Sequence, residues 1–98
     1  MTAPSNDVRH ESGERHGAFF IEREGRRVAE LTYRMMGADA MVDHTWVDPK
    51  LRGGAEARSL VAAAVDWARQ EHMKLVPVCS YVRTVFDRTP DYADVRRG

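Results

Sequence analysis

The sequence predicts an α+β domain: a mixed, mainly antiparallel sheet with one long helix packed on it, in the order β-β-β-α-β-α. Three observations predict it. The first half holds segments in which apolar and polar residues alternate. A stretch of helical periodicity follows. A short apolar segment then returns before a tail that contains proline.

Taken in order, Met1 to His16 carry one Pro, one Gly, several charges and only isolated apolar residues. They read as a mobile tail, with the folded domain over 17–98. Gly17 to Arg23 is the first expected strand, with Phe19 and Ile21 on one face, and Glu24-Gly25 supplies turn chemistry. Arg27 to Met35 alternates strictly. Ala29, Leu31, Tyr33 and Met35 face one way, and Glu30, Thr32 and Arg34 the other. Gly37-Ala38-Asp39 makes the next turn. Ala40 to Asp48 is the third strand, with Val42, His44 and Trp46 on a common face. The short turns imply an antiparallel meander.

Pro49 to Gly54 is a loop. From Ala55 to His72 the period becomes helical: Ala57, Leu60, Val61, Ala64, Val65, Trp67 and Ala68 share one side. Arg58, Ser59, Asp66, Arg69 and Gln70 share the other. Lys74 to Ser80, with Leu75, Val76 and Val78, reads as a fourth strand buried on both faces. Tyr81 to Arg88 reads as a short helix. Pro90 opens a last helical turn over Asp91 to Arg96.

Composition excludes several classes of function. Fifteen basic and fifteen acidic residues in a chain of 98 give a formal net charge of zero. That balance argues against coating nucleic acid or an anionic membrane. The longest apolar run, Leu60 to Val65, is far short of a membrane span. No charged stub precedes an apolar stretch at the N-terminus, so no secretory leader is expected. A single cysteine, Cys79, excludes an internal disulfide framework and a cysteine zinc cage. The expectation is a reduced, cytoplasmic, monomeric single domain with no metal.

The chemically informative segment is Val47-Asp48-Pro49-Lys50-Leu51-Arg52-Gly53-Gly54-Ala55-Glu56-Ala57. A strand ends, a glycine-bearing loop follows and an amphipathic helix begins. Free N–H groups at such a helix start, with the helix dipole, favour an anion. Glycine lets backbone approach a phosphate closely, and Arg52 adds a fixed positive charge. On its own, Gly-Gly before a helix is more often a plain loop.

The order of three antiparallel strands, Arg-x-x-small-x-small, long helix and buried strand resembles the GCN5-related N-acetyltransferase (GNAT) superfamily. Arg52, Ala55 and Ala57 fall at the Arg, first-Gly and Gly/Ala positions of its loop. His44-Thr45-Trp46-Val47, Arg52-Gly53-Gly54, Pro77-Val78-Cys79-Ser80-Tyr81-Val82 and Pro90-Asp91-Tyr92 resemble the small, minimal version of that family, whose chains are of about this length. The resemblance covers Gly17 to Val95. It implies a GNAT-like fold, acetyl-coenzyme A as acyl donor, an amine acceptor, and transfer of the acetyl group, by way of a cysteine or directly. It places the donor against Trp46, Val47, Arg52, Gly53, Gly54, Ala55, Glu56 and Ala57. It makes Cys79 an acyl acceptor, His44 a base and Tyr81 a proton donor to the departing thiolate.

Each assignment has a structural counterpart. Cys79 equally fits a small buried hydrophobe and His44 a hydrogen-bonded core histidine, while Tyr81 better fits a half-buried aromatic whose hydroxyl reaches solvent. Ala55 departs from the family's glycine and would be strained if the position needed a positive φ. Glu56 opposes an anion, although an acidic residue suits a first helical turn, where its side chain can turn to solvent. A non-catalytic acyl-coenzyme A-binding or interaction module stands as the alternative to an enzyme. The sequence leaves the acceptor unspecified.

Overall fold

The computed structural model of the protein describes residues 7–98. Five strands form one sheet in sequence order: β1 (Arg9–Ser12), β2 (His16–Arg23), β3 (Arg26–Met36), β4 (Asp39–Val47) and β5 (Lys74–Pro77). The first four pair antiparallel, and β5 runs parallel to β4. Helix α1 (Glu56–Glu71) makes the crossover that a parallel pair requires. Helix α2 (Ser80–Arg88) and a 3-10 turn over Pro90–Val95 follow β5.

Strand alternation and helical period meet in one core. Ile21, Leu31, Val42, Leu60, Val61, Val65, Leu75 and Val82 have almost no contact with solvent. Each such side chain contributes on the order of 1.5–3 kcal/mol by leaving water. The described helices all pack on this one core face. On the opposite face Phe20 is covered by the Arg27 guanidinium, 3.8 Å from the ring centre, and Glu11 and Glu30 hold that guanidinium at 3.3 and 3.1 Å.

Three expectations are corrected. The tail expected through His16 lies partly outside the described residues, but Arg9–Ser12 form β1 against β2. All four residues of β1 are polar and exposed, so no alternation marks them. The strand is held instead by His10, whose ring stacks on Phe19 at 4.0 Å and whose Nε2 lies 2.6 Å from the Tyr33 hydroxyl.

The second correction concerns β4. Its register with β3 shifts between Thr32 and Tyr33: Tyr33 opposes Val42, but Thr32 opposes His44. Asp43 is the extra residue of a β-bulge, and its carboxylate accepts a bond from the Thr32 hydroxyl at 2.7 Å. A bulge exchanges the faces beyond it. Val42 therefore points into the core, while His44 and Trp46 point to the opposite face. Thr45 takes the core side in their place.

The third is the extent of β5. It ends at Pro77, not Ser80, and it is not buried on both faces. Leu75 and Pro77 are buried, Lys74 and Val76 only partly, and Val78 is 44% exposed. A strand with helices on one face alone can bury only alternate residues.

Candidate active site

The site begins where β4 and β5 part. They pair from Asp39 and Lys74 to Val42 and Pro77 and no further. Pro77 has no N–H to extend the ladder. The Val78 amide donates back to Val76 at 3.0 Å, a γ-turn centred on Pro77. The Val78 and Cys79 amides both donate to the Val42 carbonyl, at 3.0 and 2.9 Å. The chain then leaves the sheet as α2.

The rest of β4 is left with an open edge. The Asp48 amide donates toward β3, to Val28, at 2.8 Å. Amides alternate along a strand, so Thr45 and Val47 direct theirs to the open side. The Arg52 Nε donates to the Val47 carbonyl on that side at 3.4 Å.

Both helices start at this opening. The first α1 backbone bond runs from Ser59 to Ala55, so the amides of Glu56, Ala57 and Arg58 have no acceptor within the helix. Helix α2 starts after Cys79, and neither helix has a side-chain cap at its N-terminus. A cavity of about 480 Å³ joins the two starts. Thr45, Trp46 and Val47 form one wall, Leu51, Arg52, Gly53 and Gly54 the floor, and Glu56, Ala57, Arg58 and Tyr81 the other wall.

The loop conformation has a local cause. Asp48 accepts from the Lys50 amide at 2.9 Å and from Arg26 at 3.0 Å. These bonds start the 3-10 turn Pro49–Leu51, and they hold the Asp48 carboxyl below the usual carboxylate range. Gly53 has φ +91°, a conformation that favours glycine. Ala55 has φ −98° and needs no such freedom. The departure from the family's glycine is thus accommodated without strain.

Most of the residues expected at the site meet here. Trp46, Val47, Arg52, Gly53, Gly54, Glu56 and Ala57 line the cavity, and Ala55 is the N-cap residue of α1. Tyr81 lines it too. Burial pushes the Tyr81 phenol up, partly offset by Arg58 and reinforced by Cys79. Cys79 is half-buried, and its thiol donates to the Thr45 hydroxyl at 3.4 Å.

Two expectations fail on geometry. His44 is exposed on the other sheet face, so the structure does not bring it to Cys79. The bulge at Asp43 puts Thr45 there instead. Glu56 does not turn to solvent: its side chain is only 12% exposed and pairs with Arg23 at 3.3 Å. Sequence reasoning also missed Thr45 and Arg58. Arg58 is exposed, as its place on the polar side of the helix implies, and its position in the first turn beside the loop is the signal that it also lines the cavity.

A family model for GCN5-related N-acetyltransferases matches residues 18–95. No curated protein matches the chain significantly. Among solved structures, a GCN5-like protein from Staphylococcus aureus is 31% identical, with a TM-score of 0.70 over 92% of this chain and 88% of its own. A ribosomal-protein-alanine N-acetyltransferase from Brucella melitensis biovar Abortus 2308 is 22% identical, with a TM-score of 0.64. This chain is matched over 78% of its length and spans 62% of that enzyme. AAC(6')-Iy, solved with the bisubstrate analogue CoA-S-monomethyl-acetylneamine, shares the fold at a TM-score of 0.56 and 12% identity, over 88% of this chain and 65% of its own. With the family model matching most of its length, the chain belongs to the GCN5-related N-acetyltransferases and is an enzyme of that kind.

Proposed function

We propose that the protein binds acetyl-coenzyme A in the cleft between β4 and α1 and transfers the acetyl group to an amine. The observation that carries this reading is the parting of β4 from β5 over a cavity that opens onto the start of α1. The residues fit such a donor. The first amides of α1 and the Arg52 guanidinium suit a diphosphate. The free edge amides of Thr45 and Val47 suit the amide groups of pantetheine. The thioester then lies near Cys79 and Tyr81.

The chemistry follows from that placement. A neutral amine attacks the thioester carbonyl carbon, and charge develops on the carbonyl oxygen. Backbone amides at the open edge or at the start of α2 stabilise it. The C–S bond breaks, and the coenzyme A thiolate takes a proton from the Tyr81 phenol, which burial keeps protonated. The proton released by the amine passes to solvent. In the cysteine route, the Cys79 thiolate attacks first, coenzyme A leaves, and the amine then attacks the acyl-cysteine. The Thr45 hydroxyl is placed to donate to that thiolate. His44, on the other face, has no part in either route.

Calorimetry with acetyl-coenzyme A tests the donor site. Gly53→Glu should weaken binding at least about tenfold, because it strains a positive φ and adds a negative charge at the cradle. Equal affinity would overturn the site. Mass spectrometry after incubation with acetyl-coenzyme A tests the route. One acetyl group on Cys79 supports the acyl-cysteine, whereas undiminished transfer by Cys79→Ala leaves direct attack.

A further inference from the structure

The loop that should receive the diphosphate already holds a carboxylate. Glu56 is the first residue of α1. Its Oε2 meets Arg23 at 3.3 Å. Its Oε1 is buried and has no hydrogen-bond partner. A Cβ added to Gly54 would come within 2.5 Å of that oxygen. The oxygen thus fills the space over Gly54 that a glycine loop keeps clear for a phosphate.

We propose that Glu56 occupies the diphosphate's seat in the free protein, must leave it when the donor binds, and so sets donor affinity. This rests on the donor-site reading above. A diphosphate oxygen and the Glu56 carboxylate cannot share the space over Gly54. They also carry like charge at contact distance in a partly buried site, where screening is weak. The carboxylate is suited to yield. The helix dipole favours it near the α1 start, but the buried Oε1 has no donor there, and a buried unpaired acceptor is costly. Swung outward, the carboxylate regains hydration and remains near the helix start. Arg23 holds only the other oxygen. Gly54 then serves two occupants in turn, which explains a glycine at a position whose own φ does not require one.

The test compares coenzyme A with acetyl-pantetheine, which has no diphosphate, on the full chain. Glu56→Gln keeps the size and removes the charge, and Glu56→Asp keeps the charge but draws it back from Gly54. Both variants should bind coenzyme A more tightly, Glu56→Gln by on the order of tenfold. Acetyl-pantetheine should bind wild type and variants alike. The melting temperature without ligand checks folding and should fall slightly in Glu56→Gln as the dipole contact is lost. Coenzyme A should raise it more than in wild type. Unchanged or weaker coenzyme A binding by both variants overturns the proposal while leaving the donor site standing. An equal gain for acetyl-pantetheine overturns it too. Failure of all three folded proteins to bind coenzyme A brings down the donor-site reading, and this proposal with it.

Discussion

The two ends of the same sheet are finished in opposite ways. At the β1–β3 end, His10, Phe19, Tyr33 and Trp67 form one aromatic cluster under α1. The Tyr33 and Trp67 rings lie 4.7 Å apart, and Trp67 meets His10 edge-on at 5.0 Å. Gly17 lets the strands close there, since a Cβ on it would strike the Tyr33 ring and the Glu11 carbonyl. At the β4–β5 end, Pro77 stops the pairing and leaves backbone groups and two helix starts facing a cavity. At the first end the rings pack on one another, beside a cavity of about 780 Å³ lined by Glu11, Gly17, Arg27 and Tyr33. Polar groups lack partners where a ligand can supply them. A small domain can leave backbone groups unpaired at one end of its sheet because aromatic packing secures the other.

Truncating the closed end should give the largest effect. Phe19 is 3% exposed and touches three other members of the cluster. Phe19→Ala should cost about 3–5 kcal/mol of stability, read by denaturant unfolding. Coenzyme A affinity of the folded fraction should stay near wild type. A loss under about 1 kcal/mol would mean that the cluster is not what holds this end.

The reverse pattern is expected at the open end. Tyr81→Phe keeps the ring and removes the phenol O–H. Stability should barely move, while the rate of acetyl transfer falls on the order of 10²-fold, as for loss of a general acid. Because burial raises the Tyr81 pKa, wild-type activity limited by this group should decline only above the usual tyrosine range, and Tyr81→Phe should lose that limb. A full rate in the variant would remove Tyr81 from the mechanism.

The same contrast explains what could be read from the sequence. Strands β2, β3 and β4 and helix α1 were legible because burial on one face imposes a period. So was the loop between β4 and α1, since Pro49, Gly53 and Gly54 interrupt the pattern before the helix. What escaped depends on single residues that leave the pattern intact. Asp43 inserts one position into β4, and Val42, His44 and Trp46 still alternate on paper. The insertion nevertheless exchanges His44 for Thr45 beside Cys79. Strand β1 escaped because its four residues are polar and a single ring, His10, docks it. The conformation of Glu56 had no sequence signal, because it depends on Arg23 arriving from the end of β2, 33 positions away.

Acid should loosen the closed end alone, and this is the smallest effect expected. The His10 ring packs against Phe19, Trp67 and Tyr33, and among the described residues its polar contact is the Tyr33 hydroxyl at 2.6 Å. Burial lowers its pKa below the ordinary value. Burial also pushes the Tyr33 phenol up, so that partner stays neutral. The unfolded chain, with an ordinary histidine near pH 6.5, then takes up a proton before the folded one does. Stability is therefore complete above that value and falls as pH drops from it toward the lower folded value. His16, His44 and His72 are exposed, as His10 is at one edge, but among the described residues His10 is the histidine whose ring packs on other rings. Thermal melts at pH 7.5 and 5.5 should show a loss in wild type that His10→Phe largely removes. Hydrogen exchange should place the loosening in β1 and β2, with the β4 edge unchanged. Equal acid sensitivity in the variant would show that His10 does not fasten β1, and the contrast between the two ends would then rest on Phe19, Tyr33 and Trp67 alone.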